Sequence, residues 1–414
     1  MAATSSVLFT ACGGSGSPSS SSSGTSNTSA QSNPSSAVTE QVLYNFTGGS
    51  DGANPQASPV VDGAGDLYGS TYAAGNGFGT VFELAPNGSG GYAESTLYGF
   101  VGGGDGANPV DVTMDSAGKL YGTTTNGGAG NGTVFDLVPN GSAYAESTLY
   151  NFGSNGDGAN PYAGLIMDSA GDLYGTTNVG GYYGYGSVFE LTPDSLGGYT
   201  ESIIYSFTGA SGGQNPRTNL TMDNVGDIYG TSSYGGGNNE GIVFELIPNG
   251  SGFVEKTIYN FIGGADGANP SSALIMDASG DLFGAAFGGG SGGYGTVFEL
   301  TANGNGGYTE STVYTFSGGS DGANPQDLAG MVLDTAGDLY GTTVNGGSNG
   351  YGTVFKLTPN GSGGYSESVV YSFGGGTDGE NPVGLTMGSA GNLYGMTING
   401  GSSGDGTVFK ILLQ

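Results

Sequence analysis

Six aspartates stand three residues ahead of an Asn-Pro pair: Asp51, Asp105, Asp157, Asp266, Asp321 and Asp378. Each opens a short Asp-Gly-Ala-Asn-Pro loop, or Asp-Gly-Glu-Asn-Pro in the last copy. A seventh copy, at residues 212–216, reads Gly-Gly-Gln-Asn-Pro and lacks the acid. Two chemistries suit this spacing. Carboxylate and carbonyl oxygens gathered in Gly-rich loops are the donors that Ca²⁺ takes. The same Asp and Asn side chains also cap tight turns, with Gly supplying the unusual dihedral and Pro fixing the approach to the next strand. A motif copied this often favours the structural reading, and under the Ca²⁺ reading the fourth copy lacks its ion.

A second set of candidates varies between copies. The Gly-rich loops at 179–185, 234–240, 287–294 and 400–405 differ in length and content. Tyr182, Tyr183, Tyr185 and Tyr234 in them present flat amphipathic rings that stack on sugars or clamp a protein partner. The alternative is that these rings pack across the top of the fold. Arg217, the sole arginine, follows the deviant 212–216 loop and is the best candidate for asymmetry in the fourth copy; the alternative is an ordinary surface residue.

A third candidate is the single cysteine. Residues 7–13, Val-Leu-Phe-Thr-Ala-Cys-Gly, resemble the lipobox of bacterial lipoproteins, in which the signal segment is cut before a lipidated Cys. Phe9 stands where Leu is usual, and no basic residues precede it. The resemblance implies that residues 1–12 are a lipoprotein-like signal segment with Cys12 as its lipid anchor; the alternative is a disordered N-terminus in which the Cys is incidental. Residues 13–38 are nearly all Ser, Gly, Thr, Asn and Pro. Such a stretch cannot bury apolar surface and reads as a disordered tether, with a span of roughly 25–30 Å.

Composition closes off other chemistries. Among 414 residues there are 35 Asp and Glu against 5 Lys and Arg, a net charge of −30. That field repels phosphate backbones and anionic lipid heads, so neither nucleic acid nor direct membrane docking is expected. The chain has no His, which removes the commonest general base and metal ligand. One Cys excludes a disulfide framework within the chain and any Cys-cluster metal site. No apolar run reaches the roughly 18 residues a spanning helix needs.

The elements that would position these residues repeat. Tyr44, Tyr98, Tyr150, Tyr205, Tyr259, Tyr314 and Tyr371 recur at intervals of 52 to 57 residues. Each unit holds four strand candidates rich in Val, Ile, Tyr, Phe and Thr and bounded by Gly, Asn, Asp and Pro. Between Pro161 and Phe207 they fall at 164–168 (A), 172–177 (B), 186–191 (C) and 200–207 (D). The turn between A and B, Met-Asp-Ser-Ala-Gly-Asp at 167–172, keeps its Gly in all seven copies, which predicts a left-handed residue there. Residues 39–46 form a lone D strand before the first A, and the last unit has A, B and C without D. The count is 28 strands. Together these features predict an all-β, seven-bladed β-propeller over 39–414, four antiparallel strands per blade, closed by the N-terminal strand completing the last blade. Paired D-strand aromatics such as Tyr205 and Phe207 are expected to pack on the neighbouring blade.

Leu-Tyr-Gly-Thr-Thr, Gly-Thr-Val-Phe and Asp-Gly-Ala-Asn-Pro together resemble the Gloeobacter/Verrucomicrobia tandem repeat of choice-of-anchor GloVer-containing proteins. The resemblance spans 39–414. It implies a bacterial exported protein with an anchoring device, lipid-anchored in the envelope or periplasmic or extracellular, and it implies no activity. The expected role is a non-enzymatic, monomeric scaffold that binds a protein or glycan and meets a membrane through its lipid anchor alone. The competing role is a Ca²⁺-assisted polysaccharide lyase or hydrolase working at the loop face, and a third is a purely structural stalk.

Overall fold

The computed structural model describes residues 39–413 except 142, 154, 155 and 251. The readings of residues 1–38 as signal, anchor and tether lie outside the described residues.

The described chain forms seven antiparallel sheets, each joined in the order A-B-C-D. Blades 1 to 7 follow the sequence. In blade 3 the strands are Ile166–Met167, Leu173–Thr177, Ser187–Pro193 and Tyr199–Ser206. Blade 7 takes its fourth strand, Thr39–Asn45, from the N-terminus, paired antiparallel with Thr407–Leu412. The fold is therefore the seven-bladed propeller with the expected closure. Every C–D pair carries a bulge at the same place, as between Val188 and Phe189, which kinks strand D and adds local twist.

The cores lie between blades, because each sheet buries both faces. Phe189 and Leu191 pack back on Tyr121, Val134 and Phe152 of blade 2, while Val188 meets Ile228 and Phe244 of blade 4. The D-strand pairs face the next blade as expected. Phe207 lies 5.2 Å edge-on from Phe244 and 5.0 Å from Tyr205. The same contact closes the ring, where Phe46 of blade 7 meets Phe82 of blade 1 at 5.1 Å. Burying each Phe contributes about 2–3 kcal/mol, and each edge-to-face pair adds about 1 kcal/mol. The Gly of Leu-Tyr-Gly makes room for this layer: a Cβ on Gly175 would lie 2.6 Å from the Phe189 ring.

The A–B turn also forms as expected. Gly171 has φ 88°, and Asp168 Oδ1 accepts from the N–H groups of Ala170 and Asp172 at 2.8 and 2.9 Å. Strand A departs from expectation. The sequence pattern places it over 164–168 in blade 3, but the ladder keeps two residues, Ile166–Met167. Gly164 turns its N–H to Asn219 of blade 4 at 2.6 Å instead of to strand B. Blades 2 and 7 have one residue fewer after Pro and keep a continuous strand A, Ala107–Met114 and Glu380–Met387. In blades 5 and 6 strand A splits in two, with Ala268–Pro270 and Ala323–Pro325 as the extra pieces. The described residues thus hold 30 strands rather than 28.

Candidate functional site

The D-to-A and B-to-C loops share one face. On it, each loop Asp caps its own turn. Asp51 accepts from the Tyr44 hydroxyl at 3.0 Å, the Thr47 N–H at 2.8 Å and the Thr47 hydroxyl at 2.6 Å. Asp321 repeats this with Tyr314 and Ser317. Asp105, Asp157, Asp266 and Asp378 accept from Tyr98, Tyr150, Tyr259 and Tyr371 and from the N–H four residues back. Partial burial alone would raise the Asp51 and Asp321 carboxyls, but these donors outweigh it and hold both below the ordinary value. Among the described residues no three acidic, Cys or His side chains group as a metal site.

The Asn of Asn-Pro does something the turn reading does not foresee. All seven, from Asn54 to Asn381, adopt left-handed φ of 53–60°. This aims both the backbone N–H and the side-chain amide at the preceding blade. Asn160 donates its N–H to Asn131 O at 2.7 Å and its Nδ2 to Thr125 O at 2.8 Å, both in blade 2. Asn54 does the same to Asp405 and Ile398 of blade 7, so the clasp also spans the closure. Pro then presses on a Gly of that preceding blade: a Cβ on Gly132 would lie 2.7 Å from Pro161 Cδ and 2.2 Å from Thr124 O.

The residues after Asn-Pro run into the centre of the ring. Contacts between blades that are not neighbours show this, since they cross the axis. Asn219 of blade 4 donates Nδ2 to Asp111 of blade 2 at 2.7 Å and its N–H to Leu328 O of blade 6 at 3.0 Å. Asp327 accepts from the Thr342 hydroxyl at 2.7 Å and from Gly384 N–H of blade 7 at 2.9 Å. Asp111 and Asp327 are buried, which pushes both carboxyls up to about 6 against the pull of their hydrogen bonds. These contacts form a polar plug at the axis.

Above the plug, at the loop face, a cavity of about 430 Å³ opens among blades 4, 5 and 6. Blade 4 supplies Arg217, Ser233 and Tyr234, blade 5 supplies Asn269, Ser271 and Phe287, and blade 6 supplies Gln326 and Leu328. Two of the residues singled out from sequence, Arg217 and Tyr234, thus come together. The other three do not line it. Tyr182 and Tyr183 stand exposed on the blade 3 loop. Tyr185 covers Gly209, where an added Cβ would lie 2.6 Å from its ring, and Phe78, Tyr294 and Tyr351 cover the matching glycines of their blades.

Arg217 is exposed, and its guanidinium carbon sits 4.5 Å from the centre of the Tyr162 ring. Burial raises the Tyr162 phenol, with Arg217 opposing, so it stays neutral. Lys119, Lys256 and Lys356 pair with Asp136, Glu245 and Asp338 at 2.6, 2.9 and 2.5 Å, and Lys410 lies over the Tyr394 ring. Among the described residues Arg217 has no carboxylate within ion-pair distance, and the cavity lining contains no Asp or Glu.

Phe287 opens the variable loop 287–294, but Ser271, Gln326 and Leu328 are not reached by reading the loops as loops. The signal for Ser271 and Gln326 is the residue right after Asn-Pro, which reads Gln56, Val110, Tyr162, Arg217, Ser271, Gln326 and Val383 along a motif otherwise copied closely. Two further residues inserted after Asn-Pro in blade 6, the source of the longest repeat interval, bring Leu328 to the axis.

The Gloeobacter/Verrucomicrobia repeat model matches residues 14–244 and 305–414. No curated protein matches the chain. Among solved structures, the chain is similar to a proposed gluconolactonase at 13% identity and TM-score 0.45, with 91% of this chain and 92% of that one covered. It is also similar to a proposed oxidoreductase of the glucose dehydrogenase kind from Thermus thermophilus, at 13% identity and TM-score 0.48, covering 91% of this chain and 100% of that one.

Proposed function

The chain belongs to the Gloeobacter/Verrucomicrobia repeat family, and from that premise we propose that it is a non-catalytic binding propeller, exported and held at the cell envelope, that takes a saccharide at its loop face. The observation that carries this reading is the cavity of about 430 Å³ among blades 4 to 6. Its size falls in the range of small-molecule sites, roughly 300–1,000 Å³. Its lining mixes two half-exposed aromatic rings, Tyr234 and Phe287, with the hydroxyls of Ser233 and Ser271 and the amide of Gln326. Rings that stack and short polar groups that hydrogen-bond are the partners a sugar calls for. The concavity suits one or two sugar units better than a protein surface, which needs about 800 Å² per partner.

Binding is favoured over hydrolysis because glycoside cleavage ordinarily uses a pair of carboxyls, and the lining offers none. The lipobox-like segment ending at Cys12 and the Ser- and Gly-rich stretch 13–38 support a place at the envelope.

The test is a glycan array with the purified propeller, followed by titration and a turnover assay on each hit. Saturable binding that Tyr234→Ala and Phe287→Ala weaken, without product, is expected. A silent array with a specific protein recovered by crosslinking overturns the saccharide reading, and product formation overturns the non-catalytic one. For the anchor, Cys12→Ser is expected to move the protein from the membrane fraction to the soluble one.

A further inference from the structure

We infer that the ligand of the axial cavity is a saccharide bearing an isolated carboxylate, a uronate joined to neutral sugar, with Arg217 clasping the carboxylate. This rests on the saccharide reading above and deepens it.

The first support is where the sole arginine stands. A chain of net charge −30 has five cations, and three of them are paired with a carboxylate of their own blade. Lys410 is held over Tyr394 on a blade surface. Of the five cations Arg217 is the one that lines the cavity among blades 4 to 6, and no acid lines it. A guanidinium presents donors in a planar fork that matches a carboxylate in two parallel hydrogen bonds. Here the guanidinium carbon lies 4.5 Å from the centre of the Tyr162 ring, which holds the group in place at the cavity wall. An arginine already held in place loses less freedom on binding than a free one.

The second support is what surrounds it. Tyr234 and Phe287 offer ring surface, while Ser271 and Gln326 offer donors and acceptors from the next two blades around the ring. A carboxylate alone would leave these groups unused, and a neutral sugar would leave Arg217 unused.

The third support is the field of the rest of the chain. Net charge of this sign repels polyanions at long range. At physiological salt this repulsion is screened beyond about 8 Å, whereas the contact with Arg217 is not. The combination admits one carboxylate in the cavity and disfavours a dense run of them, such as a polyuronate, lying across the acidic face.

Calorimetric titration tests this with three probes: a glucuronate–hexose disaccharide, the same disaccharide with its carboxyl reduced to the alcohol, and a polyuronate. The acidic disaccharide is expected to bind about tenfold or more tightly than its reduced form, with the polyuronate weaker per carboxylate. Arg217→Gln should remove that preference, so that the two disaccharides bind alike. Arg217→Lys should keep part of it. Arg217 is exposed, so the variants should melt with the parent. Equal affinity for the two disaccharides, or a preference that survives Arg217→Gln, overturns the carboxylate inference and leaves the saccharide reading standing. If neither disaccharide binds and the array is silent, the saccharide reading falls and this inference with it.

Discussion

Asn219 donates its side-chain amide to Asp111 across 2.7 Å, tying blade 4 to blade 2 through the centre of the ring. The Asn219 side-chain oxygen accepts from Gly164 N–H of blade 3, and the Asn219 backbone N–H reaches Leu328 of blade 6. One residue thus joins four blades. The sevenfold repeat breaks down at the axis, where Asn219, Asp111 and Asp327 each find partners that the repeat does not supply.

The first prediction concerns pH. Burial raises Asp111 and Asp327 from 3.8 to about 6 in the fold. Between those values the folded chain holds protons that the unfolded chain has lost. Stability therefore falls as pH rises through this window: the contribution is fully present below about 4 and lost above about 6. Each carboxyl contributes on the order of 3 kcal/mol to the difference. Glu40 and Glu201, raised to about 7 chiefly by burial, act in the same direction at higher pH. The melting temperature should be several degrees higher near pH 4.5 than at pH 7.5, and Asp111→Asn should flatten the slope even if it lowers the whole curve. A melting temperature that climbs from pH 4.5 to 7.5 would refute the assignment.

The second prediction separates the two jobs of the clasp asparagine. Asn160 holds φ 53° and donates Nδ2 to Thr125 O. Asn160→Gly keeps the backbone at ease and loses the bond, costing about 1 kcal/mol. Asn160→Ala loses the bond and forces a Cβ into the left-handed region without the local hydrogen bonding that lets Asn sit there, costing about 2–3 kcal/mol. Urea unfolding of both variants gives the comparison. If the Ala form is as stable as the Gly form, the dihedral carries no weight.

Most of the fold is legible because blade packing writes itself locally. Leu-Tyr-Gly beside Val-Phe states which residue faces which neighbour, since the Gly is cut to the Phe ring across one strand pair. Residues 39–46 stand as a D strand with no blade of their own, and that is enough to read the closure. Strand A is less legible. Its Leu-Ile-Met run looks like five ladder residues, but Gly164 directs its N–H to the next blade, to a partner 55 residues away. The Asn of Asn-Pro misleads in the same way, because its acceptors lie in the previous repeat. Arg217 and Tyr234 can each be picked out as departures from the repeat. That they share a cavity with Phe287 and Gln326 depends on the ring geometry, which brings together loops from three repeats.

The third prediction concerns closure. The Phe46–Phe82 contact at 5.1 Å matches the internal Phe207–Phe244 contact at 5.2 Å. Both Phe46 and Phe207 are fully buried. Phe46→Ala and Phe207→Ala should each cost about 3–5 kcal/mol, and by the same amount within error if the ring unfolds as one unit. A much smaller cost at Phe46, seen as an early fluorescence or exchange transition confined to blades 7 and 1, would show the closure to be the weak seam.

The fourth prediction addresses why the fourth repeat lacks its Asp. Gly212 stands where six blades have the cap, and there the Tyr205 hydroxyl reaches the Gly212 carbonyl at 3.4 Å. Thr208 occupies the place of Thr47, whose hydroxyl donates to Asp51 at 2.6 Å. The backbone accepts an acid here: residues 210–212 form a single 3-10 turn, and so do residues 376–378 of blade 7, which end in Asp378. A Cβ at 212 would lie 2.1 Å from the Thr208 hydroxyl, so that hydroxyl has to rotate, and the new carboxylate gives it a partner. Gly212→Asp should therefore stabilise the protein by about 1 kcal/mol, raising the melting temperature by about 1–2 °C for a domain of this size. Ala210, at φ 42° where blade 7 has Gly376 at 58°, is strained in the same turn, and Ala210→Gly should add to the gain. The informative measurement is ligand affinity in the Gly212→Asp variant. The loop leads through Pro216 straight into Arg217. If the variant gains stability and keeps its affinity, the missing Asp is drift in one copy of a repeat. If it gains stability and loses affinity, the fourth repeat gives up its cap so that the segment carrying Arg217 can settle against Tyr162.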